Sequence, residues 1–286
     1  MLGRWVTRIV DAQARWATPF GDFNHRWLTA LFGPIRPVKD FLNGTWLGHP
    51  VHAALTDLPV GVMTVAIVLD IIGQRVAADV AVLVGVLSII GTAVSGLADY
   101  TDVDGKARSR ATVHATVMTI GLVVFVVSLL IRAGNPTDRA VPFVLLVLGY
   151  LILTVGAEIG GDLVYLVGTN VNRHAWRGAG TKWVALDLGG LEDIPEGGPT
   201  KVKAGINTLI LVRTGETILA LHEQCAHAGG PLSEGTLVNG CIQCPWHGSR
   251  FRLTDGHVAR GPAMYDQPAY EVRRSGEGFE VRRATG

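Results

Sequence analysis

The sequence predicts a two-domain α + β protein, with an N-terminal transmembrane four-helix bundle followed by a small antiparallel β domain. Three observations support this fold class. Four long apolar runs lie within residues 49–168, short β-branched segments separated by turns fill residues 170–286, and residues 1–48 combine tryptophan with arginine. A chain of 286 residues has room for two domains of ordinary size.

The four apolar runs cover residues 50–73, 80–98, 113–131 and 140–157. About twenty apolar residues are needed for a helix to cross the hydrocarbon core of a bilayer. The first run contains Asp57 and Asp70 and is therefore the least regular. Four such runs with short connections favour a membrane bundle over the buried helices of a soluble protein. No cleavable signal peptide is expected before them, because the first fifty residues lack an uninterrupted apolar core.

Residues 1–48 are predicted to form an amphipathic segment at the membrane interface. They contain four of the seven tryptophans of the chain, interleaved with arginines: Trp5, Trp16, Trp27 and Trp46. Tryptophan rings and guanidinium groups both favour the headgroup region of a bilayer. A soluble helical hairpin that covers the bundle is the alternative interpretation.

The distribution of Lys and Arg predicts the orientation of the bundle. Twelve lie beside the N-terminal segment, in the loop after the second run and just after the fourth run, against three on the other side. Because positively charged flanks tend to stay in the cytoplasm, both termini and the β domain are predicted to be cytoplasmic. The twelve are Arg4, Arg8, Arg15, Arg26, Arg36, Lys39, Lys106, Arg108, Arg110, Arg173, Arg177 and Lys182, and the three are Arg75, Arg132 and Arg139.

The C-terminal domain is predicted to consist of short antiparallel strands bounded by Gly, Pro and Asp turns. The net charge of +1, without a basic cluster, argues against a nucleic-acid partner. The predicted strands cover residues 183–188, 208–213, 217–222, 270–273 and 279–282.

Two Cys/His pairs mark the C-terminal domain as a metal-binding domain. Cys225-x-His227 and Cys244-x-x-His247 each lie in a glycine-rich segment. Two thiolates on one iron and two imidazoles on the other suit a binuclear iron–sulfur centre. A tetrahedral zinc site made of the same four residues is the alternative.

The amino-acid sequence around these pairs resembles that of the Rieske 2Fe–2S domain. The resemblance rests on residues 229–232 after the first pair, on Gly248, Ser249 and Phe251 after the second, and on the later residues 261–263. It implies one 2Fe–2S cluster held by Cys225, His227, Cys244 and His247, on loops that bring the histidines near solvent and near a redox partner.

Two departures from the Rieske proteins of cytochrome bc complexes are informative. Those proteins join the two loops by a disulfide, whereas this chain has Gly230 and Trp246 at the corresponding positions. It keeps the serine that donates to a cluster sulfur, Ser249, but has Phe251 in place of a tyrosine. The chain therefore resembles the ferredoxin-type branch that serves oxygenases, which implies a reduction potential in the lower part of the roughly −150 to +300 mV Rieske range.

The apolar half contains a second set of polar residues. His49, His52, His114 and Asp99 are expected at the cytoplasmic end of the helices, together with Asp57 and Glu158. The pattern resembles a four-helix bacterial membrane domain of unassigned function, which implies the bacterial inner membrane as the location. Ionisable residues inside membrane helices usually have partners or a function. Three interpretations stay open: a haem b or metal site, a quinone site, and a structural layer.

The function predicted from these features is a membrane-anchored Rieske protein that passes single electrons to or from a membrane redox partner. The alternatives are a ferredoxin-like donor for an oxygenase or desaturase system, a quinol-oxidising protein and a redox sensor. No catalytic residue is assigned. A stand-alone Rieske oxygenase needs two histidines and a carboxylate on a separate iron, and His257 is the one histidine after Phe251. The expected partners are membrane lipid and a redox protein or the quinone pool.

Overall fold

The computed structural model describes residues 2–135, 137–176, 182–188, 190–276 and 278–284, with side chains described from residue 5 onward. Arg177 and the side chain of Arg4, both counted in the orientation prediction, lie outside the described residues. The described residues form two compact units. The helical unit contains residues 1–42 and 50–169, and the β unit contains residues 43–49 and 170–286.

Eight α-helices occur in the described residues, and four membrane-length segments contain most of their residues. Val51–Ile71, Arg75–Tyr100, Gly105–Gly134 and Ala140–Tyr165 are long and apolar enough to cross a membrane, by length and composition alone. They confirm the predicted helical half of the fold. The helices are α1 (Leu2–Ala12), α2 (Ala14–Phe32), α3 (Arg36–Asn43), α4 (Val51–Leu55), α5 (Asp57–Ile71), α6 (Arg75–Tyr100), α7 (Gly105–Gly134) and α8 (Ala140–Tyr165).

The core of the helical unit is made of large apolar side chains that fill notches left by glycine. A Cβ atom on Gly85 would lie 2.5 Å from the Met63 side chain, and one on Gly149 would lie 2.7 Å from the Phe125 ring. Met63 and Phe125 are fully buried. Close approach at small residues is the usual way in which helices pack where lipid removes the hydrophobic driving force.

One end of the helical unit is closed by a buried charge network that joins α5, α6, α7 and the start of α8. Arg132 contacts Asp70, and it also donates to Asp79 at 2.8 Å. Arg139 lies 2.8 Å from Asp79 and 3.1 Å from Asp70. The network explains why the first apolar run contains an aspartate, because Asp70 has arginine partners on neighbouring elements.

The N-terminal helices are attached to the other end of the unit by ion pairs. Arg110 donates to Asp11 at 2.9 Å, and this contact is the largest of the effects that lower the pKa of Asp11. Lys39 forms a buried ion pair with Asp102 at 2.6 Å. An exposed apolar face of α1–α3 and of the turn between α2 and α3 includes Trp5, Trp16, Phe20, Phe23, Trp27, Ile35, Val38 and Phe41.

The β unit contains two antiparallel sheets, which confirm the predicted β half of the fold. In the described residues, one sheet has the strand order β1-β10-β9-β4-β3-β2 and the other has the order β5-β6-β7-β8. The strands are β1 (Val184–Ala185), β2 (Pro199–Ala204), β3 (Asn207–Thr214), β4 (Thr217–His222), β5 (Thr236–Val238), β6 (Cys241–Gln243), β7 (Arg250–Arg252), β8 (Val258–Arg260), β9 (Ala269–Ser275) and β10 (Gly278–Arg283).

Candidate functional site

Two loops of identical backbone construction carry the Cys/His pairs. The first follows β4 and the second joins β6 to β7. In the first loop, Cys225 N–H donates to the Gly230 carbonyl at 2.9 Å, and Gly229 N–H donates back to the Cys225 carbonyl at 2.9 Å. In the second loop, Cys244 pairs in the same way with Ser249 (2.8 Å) and Gly248 (3.1 Å).

A glycine is required in each of these turns. Gly229 and Gly248 have φ angles of 85° and 77°, in the left-handed region that a residue with a Cβ rarely adopts. Each turn therefore closes tightly behind its cysteine, and the same short loop supplies one cysteine and one histidine.

The structure brings the four predicted ligands together as a thiol pair and an imidazole pair. Cys225 and Cys244 are 1% and 3% exposed, and their side chains are in contact. The rings of His227 and His247 have centres 5.0 Å apart and planes at 86°. Two imidazoles on one tetrahedral metal, with metal–nitrogen bonds of about 2 Å and nitrogens about 1 Å from their ring centres, have ring centres about 5 Å apart.

The backbone around the thiol pair favours negative charge on sulfur. Contact with Cys225, together with the N–H groups of Trp246 and His247, lowers the pKa of the Cys244 thiol to about 7. Contact with Cys244 and burial raise the pKa of Cys225. The pair therefore loses its first proton readily and its second with difficulty. Positive charge on a bound metal favours loss of both thiol protons.

Gln267 holds the first loop in place, and the sequence does not signal this role. It is 1% exposed. Its Oε1 accepts from Ala226 N–H at 2.8 Å, and its Nε2 donates to the carbonyls of His222 (2.6 Å) and Gln224 (2.8 Å). One side chain thus satisfies three backbone groups around Cys225.

The segment that follows α8 also supports the first loop. His174 is 4% exposed, and its Nε2 donates to the Gln224 carbonyl at 2.7 Å. Arg173 N–H donates to the Ala226 carbonyl at 3.3 Å. The ring of His174 also lies 4.5 Å from that of His222. These contacts join residues far apart in the chain, and no local pattern indicates them.

The edge of the site carries a large exposed ring. Trp246 is 56% exposed, and its ring centre lies 6.5 Å from that of the half-buried His247. A Cβ atom on Gly230 would lie 2.9 Å from Cys244 Sγ and 3.0 Å from the Trp246 ring. Glycine at position 230 therefore leaves room for both groups.

Ser249 connects the second loop to the segment at residues 261–263. It is fully buried, and its Oγ accepts from Ala263 N–H at 3.0 Å. Phe251 is also fully buried and packs in the apolar core beneath the loops. Within the described chain, no three His, Cys, Asp or Glu side chains are grouped as ligands of a single metal ion.

The second predicted set of polar residues is only partly brought together. His52 and His114 have ring centres 6.3 Å apart within the helical unit. His49 belongs to the β unit. Asp99 is buried in the last turn of α6, whereas Asp57 and Glu158 are exposed.

Comparison with known families identifies two matching regions. Residues 183–271 match the Rieske 2Fe–2S domain, and residues 48–173 match the family described as Predicted membrane protein (DUF2231). Apoptosis-inducing factor 3 of Mus musculus is 29% identical over 92 residues, which are 32% of this chain and 15% of that protein. The chain thus spans less than a sixth of that relative.

Smaller ferredoxins match over most of their length. The ferredoxin component of the naphthalene 1,2-dioxygenase/salicylate 5-hydroxylase systems of Ralstonia sp is 32% identical over 88 residues, which are 31% of this chain and 85% of that protein. The ferredoxin of carbazole 1,9a-dioxygenase from Nocardioides aromaticivorans IC177 aligns with 26% identity and a TM-score of 0.32, over 37% of this chain and 99% of that one. Through its C-terminal domain, which follows a DUF2231 domain, the chain belongs to the Rieske 2Fe–2S family.

Proposed function

We propose that this chain is a membrane-anchored Rieske electron carrier, in which Cys225, His227, Cys244 and His247 hold one 2Fe–2S cluster. The observation that carries this proposal is the meeting of the two thiols and the two imidazoles from two loops of the same construction. A Rieske cluster at this position supplies a one-electron couple at a higher potential than all-cysteine clusters of the plant ferredoxin type.

The protein side chains protect one side of the site and expose the other. The thiols are buried and receive backbone N–H groups that stabilise negative charge. His247 is half-buried beside the exposed Trp246. His227 is 7% exposed. Electrons are therefore expected to enter and leave at the edge formed by His247, where a partner protein can approach.

The purified full-length protein is expected to contain about two iron atoms and two acid-labile sulfides per chain, and to give a Rieske-type EPR signal on reduction. Cys225→Ala and Cys244→Ala should each abolish the signal, because each removes a thiolate ligand. Cys241→Ala is the matched control and should keep the signal, since Cys241 lies outside the ligand set. One zinc per chain, without iron or labile sulfide, would overturn the assignment.

The partner proposed for the cluster is a soluble or membrane-bound oxygenase or desaturase component. Support comes from the similarity to ferredoxin components of dioxygenase systems, one of them from Burkholderia cepacia, described as the anthranilate 1,2-dioxygenase ferredoxin subunit. The chain itself is proposed to be a carrier and to contain no oxygenase site. The sequence assigns no mononuclear iron ligands after the second cluster loop.

The four long helices are proposed to cross the bacterial inner membrane, with both termini and the Rieske domain in the cytoplasm. The support is their length and apolar composition, and the excess of Lys and Arg at one end of the bundle. The exposed aromatic face of α1–α3 is proposed to lie in the cytoplasmic headgroup layer, where tryptophan and basic side chains are favoured.

Labelling of single added cysteines tests this topology. In intact cells, a membrane-impermeant maleimide is expected to label Thr137→Cys, between α7 and α8, but to label Ser275→Cys, at the end of β9, only after permeabilisation. Both positions are exposed, and the parent protein reports the background from the native cysteines. The reverse labelling pattern would show the opposite orientation.

A second candidate function makes the helical unit a redox partner of the cluster. Haem b or a quinol would then be bound by residues drawn from His52, His114 and Asp99 of the helical unit. The observation that favours it is the pairing of His52 with His114, which an anchor does not require. Spectra before and after dithionite separate the two ligands, because haem absorbs in the Soret region and quinol does not.

A further inference from the structure

The helical unit places two histidines of different helices side by side. His52 lies in α4 and His114 in α7. Their ring centres are 6.3 Å apart, and the ring planes are nearly perpendicular, at 81°. Buried imidazoles in an apolar bundle are costly unless both nitrogens have partners, so the contacts of each ring nitrogen matter.

Both histidines are held by the same kind of hydrogen bond, from Nδ1 to a backbone carbonyl of a neighbouring helix. His52 Nδ1 donates to the carbonyl of Thr92 in α6 at 2.9 Å, and His114 Nδ1 donates to the carbonyl of Gly156 in α8 at 2.8 Å. Four residues after each acceptor stands a glycine, on which the ring lies. A Cβ atom would lie 2.8 Å from His52 Cε1 at Gly96 and 3.0 Å from His114 Cε1 at Gly160.

The repetition extends to the far end of the helices. Asp70 and Arg132 each stand 18 residues after their histidine, and they form an ion pair with each other. Eighteen helical residues span about 27 Å, close to the thickness of the hydrocarbon core. The helical unit is thus made of two hairpins of like construction, joined by complementary charges at one end and by paired histidines at the other.

The hydrogen bonds set the chemistry of the pair. A neutral imidazole whose Nδ1–H donates to a carbonyl carries its lone pair on Nε2. Donation of the other ring N–H to a backbone carbonyl is the usual arrangement of histidines that bind a metal. Both rings therefore present Nε2 as the ligating nitrogen, with the ring orientation fixed.

The separation of the rings distinguishes this pair from the one in the β unit. With the same bond lengths, about 2 Å from metal to nitrogen and about 1 Å from nitrogen to ring centre, two imidazoles on opposite sides of a metal have ring centres about 6 Å apart. The observed 6.3 Å fits opposite ligation, whereas the 5.0 Å between His227 and His247 fits adjacent ligation.

We propose that His52 and His114 are opposite ligands of one transition metal, bound through Nε2, and that this metal is the iron of a haem. Two opposite imidazoles complete the coordination of haem iron, because the macrocycle supplies the other four nitrogens. A protein site for a bare zinc ion instead uses three or four protein ligands. This inference deepens the proposed electron-transfer function, since it rests on the helical unit acting as a redox partner.

The test uses the full-length protein, expressed with added haem precursor and purified in detergent. The pyridine haemochrome assay and the visible spectrum are expected to show about one haem b per chain. His52→Ala and His114→Ala should each reduce haem content by about tenfold or more. Substitution of a residue that only hydrogen-bonds to a metal ligand already lowers metal affinity by about tenfold or more. His49→Ala is the matched control and should retain haem, because His49 belongs to the other unit.

A hemin titration of the haem-free protein provides the second measurement. Saturable binding of one hemin per chain is expected for the parent and for His49→Ala, but not for the other two variants. If elemental analysis instead finds one copper, zinc or extra iron per chain that both variants lose, the same ligands bind a bare ion. No haem and no metal beyond the cluster iron would overturn the assignment. The iron–sulfur EPR signal, measured in every variant, shows separately whether the cluster proposal holds.

Discussion

Arg132→Leu is expected to lower the melting temperature of the helical unit by roughly 10 °C, because removing one partner of a buried ion pair costs about 3 kcal/mol or more. The side chain of Arg132 is 1% exposed and that of Asp70 is 7% exposed. The substitution removes one of the two arginines of a network that joins four helices, and it leaves the buried Asp70 carboxylate with Arg139 alone. Loss of helical circular dichroism on heating in detergent measures the effect.

Two further variants separate loss of charge pairing from loss of packing. Arg75→Leu, at an exposed position in the first turn of α6, is the matched control and should change the melting temperature little. The double variant Arg132→Leu with Asp70→Leu should be more stable than Arg132→Leu alone, because no buried carboxylate is then short of a partner. An Arg132→Leu protein as stable as Arg75→Leu would mean that the network does not hold the helices together.

Gln267→Ala is expected to destabilise the β unit by about 3 kcal/mol, because it removes the Gln267 hydrogen bonds of the buried Ala226 N–H and His222 carbonyl. The Gln224 carbonyl loses one of two donors and keeps His174. All three backbone groups surround Cys225. The first cluster loop should therefore loosen, and the iron–sulfur absorbance should decay faster in denaturant than in the parent protein.

The matched control for this change is Gln243→Ala. Gln243 is half-buried, and its Oε1 accepts from the side chains of Arg250 (2.8 Å) and Arg260 (3.3 Å). Water can replace these contacts, so the control should lose less stability. Equal decay rates in the two variants would show that Gln267 does not position the loop, and far-UV circular dichroism reports whether the sheets remain folded.

Four of the five long strands of the β unit were predicted, whereas β2 (Pro199–Ala204) and the short strands around the site were not. The predicted segments at 208–213 and 217–222 correspond to β3 and β4, which are long and rich in β-branched residues. β5, β6, β7 and β8 are each three residues long. A strand of three residues shows too little alternation to be recognised, and its position depends on its neighbours in the sheet.

The sequence also did not predict where α7 begins. The apolar run from residue 113 predicts the membrane-length part of α7, but the helix begins at Gly105. Its first turns contain Lys106, Arg108 and Arg110, which pair with Asp11 and Asp22 of the N-terminal helices. The extension therefore depends on contacts with residues about ninety positions away, which hydrophobicity does not report.

The sequence by itself determined the two halves of the fold. It also determined which four residues form the Cys/His motif of the site. Apolar runs of membrane length, and Cys-x-His and Cys-x-x-His pairs with glycine at fixed offsets, are local patterns, and a local pattern is visible in the chain. Only the tertiary structure decided which distant residues meet: Gln267 and His174 at the first loop, Arg132 with Asp70, and His52 with His114. Each of these contacts joins residues more than forty positions apart, because it depends on how elements pack against one another, and packing leaves no period or spacing in the sequence.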